Sequence, residues 1–169
     1  KEISSSAQSF GADAWFIRPS ELATDEAAKI PVIRHALKWL KDKEEYRTDI
    51  VVLLRPTSPL RPKGMLDNSI EILLKNDAAD SVRGVTIPNQ NPYKMWKKLD
   101  NGFISPLIYL EHEESYNMPR QKLPETYWQT GHVDVIKAET ITKKKSLSGK
   151  EILPIYIENQ YCIDIDRKE

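Results

Sequence analysis

The sequence predicts an α/β domain, and three stretches carry that prediction. Ile50-Val51-Val52-Leu53-Leu54 is apolar without alternation, the pattern of a central strand covered on both faces. A helix with Leu66, Ile70, Leu73 and Leu74 on one face follows after a proline-bearing loop, and Ser81 to Ile87 then reads as a second strand. Strand, helix and strand at this spacing form a βαβ unit, which implies a right-handed crossover and a mostly parallel central sheet.

The chain has 169 residues, the size of one domain, and residues 1–169 are read as one. Hydrophobic residues make up 40% and charged residues 30%, so the chain can fill a core. Lys plus Arg and Asp plus Glu number 25 each, and the zero net charge argues against broad capture of nucleic acid or an anionic membrane. The single cysteine, Cys162, excludes a disulfide framework and an all-cysteine zinc site. His35, His112 and His132 are scattered without metal-ligand spacing. With no apolar run of membrane-span length and no signal-peptide pattern, a soluble, cytoplasmic setting is expected. Because the sequence does not open on methionine, it is expected to begin partway through a larger protein.

Taken in order, the residues up to Phe10 read as a helix end with Gly11 as its stop. Ala14 to Ile17 reads as a short buried strand ended by Arg18-Pro19. Thr24 or Asp25 is the expected cap of a helix whose apolar face is Ile30, Ile33, Ala36, Leu37 and Leu40, with Pro31 close to its start. Beyond the βαβ unit, Tyr93 to Leu99 and Phe103 to Leu110 form two strands joined at Asp100-Asn101-Gly102, a hairpin turn. Residues 111–124 are polar and proline-bearing, an arm or loop. Gly131 to Ile136 predicts a strand, Ala138 to Lys145 a short helix and Ile152 to Ile157 another strand. A final strand spans Tyr161 to Asp166.

That last strand places Cys162, Asp164 and Asp166 on one face. Two carboxylates there repel unless neutralised, and Mg²⁺ is the simplest neutraliser because it takes carboxylate oxygens and shares itself with phosphates. A strand end running into solvent is the alternative. Ligands of open α/β sheets bind beyond the carboxyl ends of the strands, where Arg55, Thr57, Ser58 and Arg61 lie. Two arginines and two hydroxyls there suit phosphate or carboxylate, although a proline-rich turn with solvated charges has the same composition. Arg18 can hydrogen-bond the acceptor edge of a base, or simply belong to a turn. Arg120-Gln121-Lys122, near Tyr127 and Trp128, could wall an acidic sugar or form a solvated basic patch beside core aromatics.

Four motifs occur in an order and spacing that resemble one family. They are Arg18-Pro19-Ser20-Glu21-Leu22-Ala23-Thr24-Asp25, Leu53-Leu54-Arg55-Pro56-Thr57-Ser58-Pro59-Leu60-Arg61, Pro119-Arg120-Gln121-Lys122-Leu123-Pro124 and Ile163-Asp164-Ile165-Asp166. Together they resemble the acylneuraminate cytidylyltransferases (CMP-N-acetylneuraminic acid synthetases) over almost the whole chain. The resemblance implies a glycosyltransferase-A-like, Rossmann-like nucleotidyltransferase fold. CTP and a 2-keto sugar acid would give the CMP-sugar and pyrophosphate, with Mg²⁺ on the phosphates. It implies Asp164 and Asp166 as catalytic metal ligands, Arg18 and Ala27 on the nucleotide, and Arg55, Ser58, Arg120, Tyr127 and Trp128 on the sugar side. Residues 90–124 become a dimerisation hairpin and arm of a homodimer.

Three departures from the family pattern stand out. The N-terminal strand and the Gly-, Arg- and Lys-bearing triphosphate loop are not in the sequence, so this stretch alone is expected to be inactive while the parent protein is active. Arg55 stands where the sialic acid enzymes usually have glutamine. The family's Arg-Pro-Asn-Gly is here Trp128-Gln129-Thr130-Gly131, and Arg55 could make up the lost charge. Two other readings accompany these departures: a related nucleotidyltransferase for another bacterial nonulosonic acid, and a non-catalytic sugar-nucleotide-binding or dimerisation module.

Overall fold

The computed structural model describes residues 2–24, 26–111, 114–163 and 165. Its elements in chain order are α1 (Glu2–Ser9), α2 (Lys29–Glu44), β1 (Ile50–Leu53), α3 (Met65–Leu74), β2 (Ser81–Thr86), β3 (Trp96–Lys98), β4 (Ile104–Pro106), β5 (Trp128–Lys137), α4 (Ala138–Thr142) and β6 (Ile152–Tyr156). The residues fall into two compact units, Lys1–Val51 with Ile136–Gly149, and Val52–Val135 with Lys150–Glu169. Among the described residues no helix is long and apolar enough to cross a membrane.

In the first unit α1 ends where the sequence predicts, with Gly11 just beyond it. The expected buried strand at Ala14–Ile17 is not one. No strand pairs with it among the described residues, and Trp15 and Ile17 are about half exposed. Phe16 is half-buried, stacking on Trp39 at 4.9 Å and meeting His35 edge-on at 5.4 Å. An aromatic anchor on α2 therefore replaces the ladder. Helix α2 starts at Lys29, later than a cap at Thr24 or Asp25 would set it, because the Thr24 carbonyl already accepts the Ala27 N–H in a turn. Pro31 falls in its first turn, as the fixed proline φ requires. Helix α4 packs on α2 and buries Ala138, Thr140 and Ile141.

The larger sheet has strand order β1-β5-β2-β6 and is mixed, which corrects the mostly parallel sheet expected from the sequence. Strands β2 and β6 run parallel, from Ser81 opposite Ile152 to Val85 opposite Tyr156. Strand β5 runs antiparallel to β1: Arg55 N–H reaches Gly131 O at 3.3 Å and Ala138 N–H reaches Asp49 O at 2.9 Å. The cause is the long excursion between β2 and β5. Among the described residues it contains a hairpin and single 3₁₀ turns but no crossover helix, so the chain re-enters the sheet at the end it left and runs back.

Burial follows that order. Strand β1, read as the most deeply covered, is only half-buried and Leu54 is exposed, because β1 is at the sheet's edge among the described residues. Val82 of β2 and Val133 and Val135 of β5 form the core instead. Helix α3 packs on β2 and β6 with Met65, Ser69 and Leu73, while Leu74 faces water. Strands β3 and β4 form the predicted hairpin, shorter than expected, with Leu99 N–H bonded to Phe103 O at 2.8 Å and Gly102 at φ +86°. That φ suits glycine. The arm that follows is built of 3₁₀ turns at Ser115–Asn117 and Arg120–Lys122, with Leu123 buried.

The predicted final strand is also corrected. Asn159–Tyr161 is a 3₁₀ turn, Cys162 has φ −83° and ψ 54°, and Ile163 N–H bonds Tyr161 O at 2.9 Å. These are turn conformations that offer no ladder. Asp164 and Asp166 lie outside the described residues.

Candidate functional site

The loop after β1 is positioned by β5. Arg55 N–H bonds Gly131 O, Ser58 N–H bonds Arg55 O at 3.3 Å, and Ser58 is 2% exposed. A Cβ added to Gly131 would overlap Ser58 Oγ and stand 3.2 Å from both Ser58 Cβ and Arg55 Cδ. Only a residue without a side chain lets the two elements approach so closely. Gly131 thereby brings together Arg55 and Ser58, two of the predicted sugar-side residues. Arg55 is half-buried, and among the described residues its guanidinium forms no ion pair.

Arg61 behaves differently. Its Nε donates to His132 O at 3.0 Å and its Nη2 to Arg55 O at 2.6 Å. Its fork holds backbone carbonyls, which makes Arg61 part of the frame of the loop. Thr57 also serves the frame, its carbonyl accepting the Ile165 N–H at 2.8 Å.

On the same unit Tyr127 and Trp128 lie at the start of β5, 40% and 44% exposed. Tyr127 packs on Tyr156 of β6 with ring centroids 5.1 Å apart. Its phenol is pushed up to about 12, chiefly by its hydrogen bond to Glu125, whose negative charge also opposes ionisation. The phenol thus stays a neutral donor at any physiological pH. Arg120 is exposed, its guanidinium 3.4 Å from Asn89 O. Arg18, exposed, and Ala27, half-buried, belong to the other unit. The Ala27 N–H is used by Thr24, which leaves its carbonyl as the backbone group able to meet a base.

Three residues of this region were not singled out in the sequence. Tyr156 reads there only as part of a strand. Gly131 carries no signal without the close approach it permits. His132 is 1% exposed, with Nε2 2.9 Å from Tyr161 O; a carbonyl only accepts, so Nε2 carries the proton. Among the described residues its Nδ1 has no partner. The signal that could have found it is position 132 inside the apolar run of β5.

The chain is thus an α/β protein with a mixed sheet whose arginine- and hydroxyl-bearing loop lies beyond a strand's carboxyl end, the place where ligands of open α/β sheets bind. Over 98% of its length the chain is 24% identical to the post-translational flagellin modification protein B of Campylobacter coli, covering 68% of that protein. It is 29% identical to an N-acylneuraminate cytidylyltransferase of Escherichia coli, over 95% of this chain and 36% of that protein. It is 28% identical to a CMP-N,N'-diacetyllegionaminic acid synthase of Campylobacter jejuni, over 98% of this chain and 68% of that protein. No family model matches the chain. The resemblance to the acylneuraminate cytidylyltransferases therefore holds along nearly the whole chain, which spans about two thirds of two of these relatives and about a third of the other.

Proposed function

We propose that this chain belongs to a Mg²⁺-dependent cytidylyltransferase that activates a nonulosonic (2-keto sugar) acid with CTP. The observation that carries the reading is similarity along almost the entire chain to relatives named for that chemistry. Arg55, which forms no ion pair among the described residues and lies beside the buried Ser58, supports an acidic substrate on the second unit.

In this reading the anomeric hydroxyl of the sugar acid attacks the α-phosphorus of CTP. A new P–O bond forms, the bond to the bridging oxygen breaks, pyrophosphate leaves and the hydroxyl proton passes to solvent. The protein's work is positioning and electrostatic. Arg55 holds the sugar carboxylate, Ser58 fixes the loop that presents it, and the exposed Tyr127 and Trp128 wall the ring. Arg120 adds a second cation, and Arg18 with the Ala27 carbonyl reads cytosine.

No cluster of three or more His, Cys, Asp and Glu among the described residues could hold a metal. Asp164 and Asp166, which flank Ile165 in sequence, supply the hard oxygen donors Mg²⁺ takes, and two ligands leave coordination positions for phosphate oxygens. Bound there, Mg²⁺ would neutralise charge on the phosphates. The hairpin carries exposed Phe103, Ile104 and Leu107, and Tyr109 follows in the arm, an apolar face suited to a homodimer interface.

The test is pyrophosphate release by the full-length protein with Mg²⁺, each nucleoside triphosphate and a panel of 2-keto sugar acids. Turnover with CTP and one of them is expected. Absence of turnover with CTP and every member would overturn the reading and favour a binding module.

A further inference from the structure

The described residues close a hydrogen-bonded ring that the proposed chemistry does not use. Arg61 joins the loop to β5 by donating to Arg55 O and His132 O. The buried His132 side chain then donates from Nε2 to Tyr161 O, in the 3₁₀ turn after β6. Four residues on, Ile165 N–H returns to Thr57 O, inside the loop where the ring began. Every polar link runs between a side chain and a backbone carbonyl or between two backbone groups, so the ring fixes main-chain positions.

We infer that Arg61 and His132 are positioning residues that fix where the Ile165 segment meets the Arg55–Ser58 loop. Their role in turnover rests on the proposed function, because Ile165 lies in sequence between the two proposed metal ligands. The unpartnered Nδ1 supports a specific role for His132. Burying an imidazole with one nitrogen unsatisfied costs stability, and an apolar residue would avoid that cost while filling β5 equally well. What it would lose is the bond to Tyr161 O.

The test uses the full-length protein with His132→Leu, His132→Gln and Arg61→Lys. Glutamine can return an N–H near the place of Nε2, and lysine can satisfy one of the two carbonyls but not both. Three quantities are read: hydrogen exchange at the Ile165 amide, Mn²⁺ binding without substrate, and the KM and kcat of the sugar acid and of Mg²⁺. His132→Leu should speed Ile165 exchange and weaken Mn²⁺ binding by about fivefold to tenfold, the effect of one lost buried hydrogen bond. It should raise the Mg²⁺ requirement more than the KM of the sugar acid, and His132→Gln should recover most of both. If His132→Leu does not fold, Arg61→Lys is read instead and should give the same pattern at smaller size.

Unchanged Ile165 exchange and Mn²⁺ binding in a folded variant would overturn the inference. So would a loss in His132→Leu that His132→Gln does not recover. Faster exchange in His132→Leu, together with a wild type that shows no CTP turnover, would fail the functional reading and leave the positioning role standing, since the exchange measurement requires no activity.

Discussion

The contact at Gly131 makes a sharp prediction for Gly131→Ala. The backbone there has no left-handed φ, so alanine is conformationally allowed and the effect must come from space alone. The new methyl would overlap Ser58 Oγ and press on Ser58 Cβ and Arg55 Cδ, both at 3.2 Å, closer than the roughly 3.5–4.0 Å at which carbons attract. Ser58 is 2% exposed, so its hydroxyl cannot swing into water and the loop must retreat. Such overpacking costs about 1–3 kcal/mol, and the stiffer unfolded chain returns about 0.4–1 kcal/mol. A net loss of about 1–2 kcal/mol should lower Tm by roughly 2–8 °C for a chain of this size. The functional effect should be larger, because a loop displaced by about 1 Å can cost on the order of a hundredfold in rate. Calorimetry gives the first quantity and pyrophosphate release with varied sugar acid gives the second. Ser58→Gly removes the clashing hydroxymethyl, so the double variant should recover much of the stability, and the cycle should show coupling of about 1 kcal/mol. A Gly131→Ala protein with wild-type Tm and wild-type KM for the sugar acid would refute the argument.

Three further outcomes follow from other parts of the second unit. Arg83 and Asp134 form an ion pair at 2.7 Å with side chains 23% and 10% exposed, so Arg83→Leu strands a carboxylate and should cost about 2–4 kcal/mol in urea denaturation. Adding Asp134→Leu should recover most of that loss; a single variant as stable as wild type would remove the pair from the fold's framework. The raised Tyr127 phenol binds its proton more tightly in the folded protein, so its stabilisation is complete below the usual 10.0 and is lost as pH rises towards about 12. In ultraviolet titration of the folded protein's seven tyrosines, Tyr127→Phe should delete a late-titrating group, and an unchanged curve at the alkaline end would count against the Glu125 bond. Phe103→Asp with Ile104→Asp should shift sedimentation from dimer to monomer without loss of secondary structure; a wild type that sediments as a monomer would dispose of the arm's proposed role.

The local elements were legible because periodicity and turn chemistry act over a few residues. Helix α3, strand β2 and the Asp100-Asn101-Gly102 turn are where those signals put them. What the sequence could not supply was neighbourhood. Ile50–Leu53 is as apolar as any buried strand, yet half-exposed, because sheet order is set by the path of the chain between β2 and β5. Ala14–Ile17 has strand composition but no partner among the described residues. Within the site, Arg55 and Arg61 look equivalent in one proline-rich loop, and only their partners separate them: Arg61 donates to two carbonyls, whereas among the described residues Arg55 forms no ion pair. His132 and Gly131 were silent because their roles are distances to residues far along the chain.

The geometry also bears on whether Arg55 replaces a cation lost at position 128. Arg55 is bonded through its backbone to Gly131, and its side chain lies on the face that a Gly131 side chain would occupy. Residues 128 and 131 are three apart on one strand, so by alternation their side chains leave opposite faces, about 10 Å apart along β5. A cation at 55 therefore does not stand where a cation at 128 would. If Arg55 binds the sugar carboxylate, it does so from the Ser58 side, and the exposed Trp128 contributes ring surface rather than a substitute for charge. Arg55→Gln should then raise the KM of the sugar acid by about tenfold to a hundredfold, the worth of a charge-assisted hydrogen bond. Trp128→Arg added to it should not restore that loss, whereas charge compensation between the two positions requires that it does. Steady-state kinetics of the three proteins decides between the two outcomes, and an unchanged KM in Arg55→Gln would remove Arg55 from the sugar site altogether.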